Sequence, residues 1–335
     1  MSRKLQKRRS SQAGLTLVEL LVALVISAVI VIAAVSALIV SRQGFSTVDA
    51  VSQLRDNARL ATDMLKKFGV QAGFNDVSES TTTWPKDATG LPEGNPAPSI
   101  SGFNNATISA SDPLNVSTPR TVPSSLGYGS DILILRYQVA ETFAGSTVSD
   151  RSMIDCFGSS PLVVPVARGD RNANIIHVGL GVSGEPGLRC KTDDLSINSQ
   201  EIVRGVENFQ VLYGVDGVTA GVYAVGPKTN VATNYLRADQ IVVPADPTGE
   251  KTNSNWRRVR SIKIGMVIRG PLGSAQQALT QTYYPFGKSA NSTSGAEGSA
   301  LSSANDPGTA FTPPADTRLR QVATFTIHLR NEQGL

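Results

Sequence analysis

Histidine and cysteine are scarce: this 335-residue chain has two of each. His177 and His328 stand at no metal-ligand spacing to Cys156 or Cys190, so no metal site of that kind and no cofactor is expected. Both histidines read as ordinary strand residues. No phosphate-cradling Gly-rich loop, nucleophile elbow, zinc signature or carboxylate constellation stands out. An enzyme is not expected, and no catalytic residue is assigned. Asp193, Asp194 and Asp216 come nearest to a Ca²⁺ set, but without clear ligand spacing they read as surface acids.

An excess of one charge is also missing once the N-terminus is set aside. Lys plus Arg is 31 and Asp plus Glu is 27, but Arg3, Lys4, Lys7, Arg8 and Arg9 account for five of the cations. The remainder is close to neutral. DNA binding needs several phosphate contacts, and residues 75–130 hold only Lys86 and Arg120 as basic residues. No nucleic-acid partner is expected.

What the chain does have is one long apolar run, Gly14 to Val40, whose single charge is Glu19. A helix needs about 20 apolar residues to cross ~30 Å of hydrocarbon. The preceding basic cluster, with no acidic residue, holds the N-terminus on the cytoplasmic side and sends the rest of the chain across. The run is too long for a cleavable secretory signal, and its small residues Ala13 and Gly14 lie before it. A charge near the bilayer is costly and marks a functional candidate, so Glu19 asks for a partner.

No proline interrupts residues 15–68. Phe45, Val48, Val51, Leu54, Ala58, Ala61, Leu65 and Phe68 recur at spacings of three and four, the mark of an amphipathic helix. If all of 15–68 is helical, its length is roughly 80 Å at 1.5 Å per residue. Gly69 and Gly73 are expected to end it.

Residues 75–130 are rich in Ser, Thr, Pro, Asn and Gly and read as extended loops with one or two short strands, pinned by Trp84 and Phe103. Strand patterns follow at 131–139, 162–166, 174–180, 201–213, 259–269 and 322–329. In the fifth, Ile262, Ile264, Met266 and Ile268 share one face; in the last, Ala323, Phe325, Ile327 and Leu329 do. Residues 285–317 are low in complexity and read as a flexible loop between the last two strands. Cys156 and Cys190 both follow the apolar run, on the oxidising side of the expected topology. Their even count favours a disulfide closing 34 residues, worth roughly 3–4 kcal/mol; two free buried thiols are the alternative.

The stretch Gly14-Leu15-Thr16-Leu17-Val18-Glu19-Leu20-Leu21-Val22-Ala23-Leu24 resembles the class III signal of type IV pilins and type II secretion pseudopilins. The resemblance implies that a prepilin peptidase cuts between Gly14 and Leu15 and methylates the new N-terminus at Leu15. Glu19 then takes the family's acidic position, fifth in the mature chain. Leu15 stands where Phe or Met is commoner. In lipid, the Glu19 carboxylate of one subunit can pair with the terminal amine of a neighbour, since two charges leave water more cheaply together than one alone.

A second resemblance is narrower. Leu54-Arg55-Asp56-Asn57-Ala58-Arg59, Asp155-Cys156-Phe157-Gly158, Leu188-Arg189-Cys190, Val203 to Asp216 and Arg318 to Asn331 resemble PilW-type minor pilins, whose similarly placed cysteines support the disulfide. It is poor across 75–130 and 285–317.

The resulting expectation is an α+β, type IV pilin-like fold. It comprises a cleaved leader at 1–14, a long helix at 15–68 (15–40 transmembrane, 41–68 amphipathic) and a β-rich periplasmic domain at 69–335 with antiparallel sheet. The resemblance implies a role in pilus priming and assembly. The partners it implies are other minor pilins and the major pilin, the prepilin peptidase, the inner membrane and the assembly platform. A single pass through the inner membrane, and later the pilus at the cell surface, is the expected location. The rivals are a J-type pseudopilin of type II secretion and a tip adhesin or DNA-uptake binder.

Overall fold

The computed structural model describes residues 14, 16–76, 85–88, 90–123, 125–278, 280–287 and 306–331. The leader through Ala13, Leu15, Trp84 and the middle of the second insert lie outside the described residues.

Helix α1 runs Leu17–Gln71. By chain contacts the protein divides into two units, residues 1–49 and 50–335. In the first, α1 is helical without interruption, through Gly44 as well. Its hydroxyls turn inward on the backbone: Ser27 Oγ donates to Ala23 O at 2.7 Å and Ser36 Oγ to Ile32 O at 2.8 Å. Polar groups in an apolar stretch are thereby satisfied within the helix itself.

In the second unit, Ala50, Leu54, Ala58, Ala61, Leu65 and Phe68 form the buried stripe of α1. Spacings of three and four put them on one face, and that face joins the main core with residues of both larger sheets. The helix continues past the expected end at Phe68. Gly69 lies inside it, and a side chain there would meet Ile327: an added Cβ would lie 2.8 Å from Ile327 Cγ2. The stop falls at Gly73, which has φ +75°. Asn331 Nδ2 closes the helix end by donating to Val70 O and Ala72 O, both at 3.1 Å.

The strands are β1 Ile100–Phe103, β2 Ala106–Ile108, β3 Ser117–Pro119, β4 Ile132–Tyr137, β5 Asn172–Leu180, β6 Pro186–Thr192, β7 Gln200–Arg204, β8 Val206–Val215, β9 Asn234–Leu236, β10 Val259–Arg269 and β11 Arg320–His328. Two short helices, α2 Ala238–Ile241 and α3 Glu250–Trp256, lie between β9 and β10. One sheet has the order β1-β4-β5-β6-β7, a second β11-β10-β8-β9, and β2 pairs with β3. Among the described residues every strand pairing is antiparallel.

Two strand expectations are corrected, and one strand was not expected. The single strand expected over 201–213 is two strands in two sheets, broken at Gly205, whose φ is +79°. The strand expected over 162–166 is irregular chain, with Val163 and Val166 largely exposed; Pro161 and Pro165 remove ladder donors there. Strand β6 went unread because its sequence, PGLRCKT, does not alternate.

Both inserts are built into the domain where they are described. Three buried or half-buried arginines hold the first by its carbonyls. Arg257 donates to Pro96 O, Arg171 Nη2 to Ala97 O at 2.6 Å, and Arg136 Nη1 to Pro98 O at 2.9 Å. Strand β1 then pairs with β4. The second insert returns over β10 and β8. Gly265 has no room for a Cβ beside Pro285, and Gly308 has none beside Asn208 and Gln210. This cover is why Val267, on the face of β10 opposite Ile264, is also fully buried.

Candidate functional site

The N-terminal end of α1 is fixed by two side chains. The Thr16 N–H donates to Glu19 Oε2 at 2.9 Å, and Thr16 Oγ1 donates to the same oxygen at 3.0 Å. In return the Glu19 N–H donates to Thr16 Oγ1 at 3.3 Å. This is a reciprocal capping box: each residue satisfies a backbone donor that the helix leaves without a carbonyl. A carboxylate in the first turn also complements the positive end of the helix dipole. Glu19 is therefore engaged within its own chain. Gly14 is exposed two residues before Thr16, and Leu15 lies outside the described residues.

From Leu17 to Val40 no residue is buried, and the large apolar side chains stand open. Among the described residues α1 is the one helix long and apolar enough to cross a membrane. Further along, Arg59 and Asp63 pair at 3.8 Å on the exposed face. That face contributes little to stability.

Cys156 and Cys190 are joined in a disulfide, and both are buried. It ties the loop after β4 to strand β6. Asn174 on β5 braces the joint by accepting the Cys156 N–H at 3.1 Å.

The acids considered for Ca²⁺ each accept hydrogen bonds from the chain itself. Asp193 Oδ1 accepts Ala173 N, and Asp194 Oδ1 accepts Ser196 N and Oγ. Asp216 accepts the backbone N–H groups of Thr229 and Asn230. These hydrogen bonds hold the Asp194 and Asp216 carboxyls below the usual range, against the burial that raises that of Asp216. Among the described residues no group of three or more His, Cys, Asp or Glu is placed to hold a metal. His177 is buried beside Ser199 Oγ at 2.8 Å, and burial pulls its pKa down to about 4, so it is neutral. His328 is exposed.

Sequence reasoning missed two charged clusters. Arg269 Nη1 pairs with Glu207 at 2.8 Å, Arg320 Nε pairs with Glu207 at 2.6 Å, and Arg318 Nη2 pairs with Glu185 at 3.0 Å. Asp316 completes the set through Arg320 at 2.7 Å. These arginines hold the carboxyls of Glu185 and Asp316 below the usual range, against the burial that raises them. In the second cluster Asp131 and Asp306 are both buried. Burial raises the Asp131 carboxyl well above the usual range, and Asp306 adds to that. Burial pushes Asp306 up to about 6 although Arg237 stands 3.8 Å away. Asp316, Arg318 and Arg320 are near one another in sequence, but Glu185, Glu207 and Arg269 lie elsewhere in the chain and Asp131 is far from Asp306, so only a register of strands could have brought each set together on paper.

Two family models match. Residues 9–35 fit the prokaryotic N-terminal methylation motif, and residues 175–331 fit type IV pilus-assembly protein W. Among solved structures, a type IV-like pilin from Thermus thermophilus is 13% identical, covering 84% of this chain and 98% of that one, with a TM-score of 0.36. A comparison with curated proteins gives no match. The methylation motif ends in the apolar helix, and the second model runs from within β5 past the end of β11 and takes in the disulfide's Cys190, so over these residues the chain is similar to PilW-type type IV pilins.

Proposed function

We propose that the chain is a minor pilin that takes part in priming and assembling the type IV pilus. It works in an initiation or tip complex with other minor pilins, and its role is structural, not catalytic. The prepilin peptidase removes residues 1–14, cutting between Gly14 and Leu15 and methylating Leu15. The apolar half of α1 anchors the protein in the inner membrane with the β-rich domain in the periplasm, then passes into the filament. The observation that carries this reading is the Thr16–Glu19 capping box at the head of an unburied apolar helix. A carboxylate there is held ready at the level where a neighbour's new terminal amine would lie, and pairing the two charges fixes the stagger of subunits.

Deletion of the gene, with surface pili counted, tests the reading. Pili should be lost, restored by the wild-type chain, and not restored by Glu19→Gln. Normal pili with failed export of folded proteins would overturn it in favour of a type II secretion pseudopilin.

A further inference from the structure

A pocket of about 560 Å³ opens between β1, the β2–β3 pair, α2 and α3. That volume falls in the ~300–1,000 Å³ range of small-molecule sites. Its apolar lining includes Phe103 and Leu114, both half-buried, Val242, which is exposed, and the buried Trp256. Among the described lining residues Arg136 and Asp239 alone are charged, one of each sign. Arg136 is buried, and its Nη1 is committed to Pro98 O and Ser101 Oγ. The Asp239 side chain is 49% exposed.

The polar lining is biased toward acceptors. Asn253 spends an amide N–H on Asn95 Oδ1 at 2.8 Å, Asn104 spends one on Asp306 Oδ1 at 3.3 Å, and Asn115 spends one on Asp112 Oδ1 at 3.1 Å. Among the described residues no donor reaches the side-chain oxygen of any of these three. Arg237 donates Nε and Nη2 to the two oxygens of Asp239, at 2.9 and 2.8 Å. A carboxylate has about four lone-pair sites, so each oxygen keeps one, and the guanidinium fork holds the group still. None of the four residues is buried: Asn115 and Asp239 are exposed, and Asn104 and Asn253 are half-buried. One carboxylate among neutral amides carries too little charge for a divalent cation. Acceptors beside an apolar wall call instead for a ligand rich in O–H donors.

We infer that this pocket binds a neutral sugar of one or two rings. A pyranose carries hydroxyls along its edge and C–H groups on its faces. The hydroxyls donate to the Asp239 carboxylate and the asparagine oxygens, and a C–H face packs on the apolar lining at Phe103. A free sugar and the end of a glycan chain carry the same chemistry. The inference goes beyond the assembly role proposed above and does not rest on it.

The test uses the full-length chain in a zwitterionic detergent without sugar headgroups. The methyl glycosides of glucose, galactose, mannose and N-acetylglucosamine are titrated calorimetrically, with glycerol as the hydroxyl control. Saturable binding of one or more glycosides, and none of glycerol, is expected. A disaccharide ending in the tightest of them then separates the sources: equal affinity identifies a single sugar as the ligand, and tighter binding identifies the end of a glycan. Asp239→Ala with Asn115→Ala should weaken binding by about tenfold with an unchanged unfolding midpoint. Val242→Trp, which adds bulk to the lining and removes no side-chain hydrogen bond, should weaken it as much, and it decides the matter if the double variant does not fold. A response to every glycoside no different from that to glycerol would overturn the proposal. So would unchanged affinity in a folded variant.

Discussion

The carbonyl of Gly205 accepts the Arg269 N–H at 2.7 Å, while the Gly205 N–H donates to Pro186 O at 2.8 Å. One residue therefore joins β10 of one sheet to β6 of the other, at the point where the chain passes from β7 to β8. Its φ of +79° suits glycine. An added Cβ would lie 2.4 Å from the Arg269 carbonyl oxygen. Gly205→Ala should cost more than the ~1–2 kcal/mol of left-handed strain alone. Urea unfolding of the full chain in micelles checks this: a midpoint equal to wild type would contradict the junction.

The disulfide supplies a second prediction. It closes a separation of 34 residues, and removing such a native link costs roughly 2–5 kcal/mol. The Cys156→Ala/Cys190→Ala chain should unfold at lower temperature. Added reductant should shift the wild type toward the double variant and leave the double variant unmoved.

Glu207 is buried between Arg269 and Arg320. Removing one partner of a buried ion pair leaves an uncompensated charge and costs about 3–5 kcal/mol. Glu207→Leu should fall in that range, whereas Asp63→Ala, at the exposed pair with Arg59, should change stability by less than about 1 kcal/mol. Equal losses would mean that the buried cluster is no more than a surface ion pair.

The Asp306 carboxyl is raised from 3.8 to about 6, so the folded state holds its proton more tightly than the unfolded chain. Its stabilising contribution is complete below the unfolded value and is lost as pH climbs through about 6. Wild type minus Asp306→Asn, measured by unfolding at a series of pH values, should therefore fall between about pH 4 and pH 6 and be level above. Glu185, Asp216 and Asp316, whose carboxyls are lowered, act in the other direction and lose their contribution as pH falls. The difference between the two chains cancels them.

The helix and the later part of its buried stripe were legible because apolar spacing repeats over many turns: Leu54, Ala58, Ala61, Leu65 and Phe68 were all named from sequence and all lie in the core, whereas Phe45 and Val48, named with them, are exposed. Strand β10 was read with the bounds it has, since Ile262, Ile264 and Met266 alternate with Ser261, Lys263 and Gly265. The break at Gly205 was not legible, because EIVRGVENF is rich in β-formers on both sides. Only the positive φ, invisible in letters, splits it. The first insert was read as loose loops since its hold comes from arginines far along the chain, such as Arg257 on Pro96. At the helix head, Glu19 was singled out for its charge, but its bond to Thr16 was missed although the Thr-x-x-Glu spacing announces a capping box.

Asn331 ties the end of α1 to the last described residues, and Ile327 fills the space that Gly69 leaves. In terms of synthesis, this places first and last parts of the chain in one joint. A ribosome adds roughly 5–20 residues per second. The apolar half of α1 is therefore complete many seconds before the residues that lock its other half exist. Through that interval the stripe from Leu54 to Phe68 has no finished sheet to cover it. Any helper that shields nascent pilins would meet this helix at that stage, and a chain stopped before β11 would remain there.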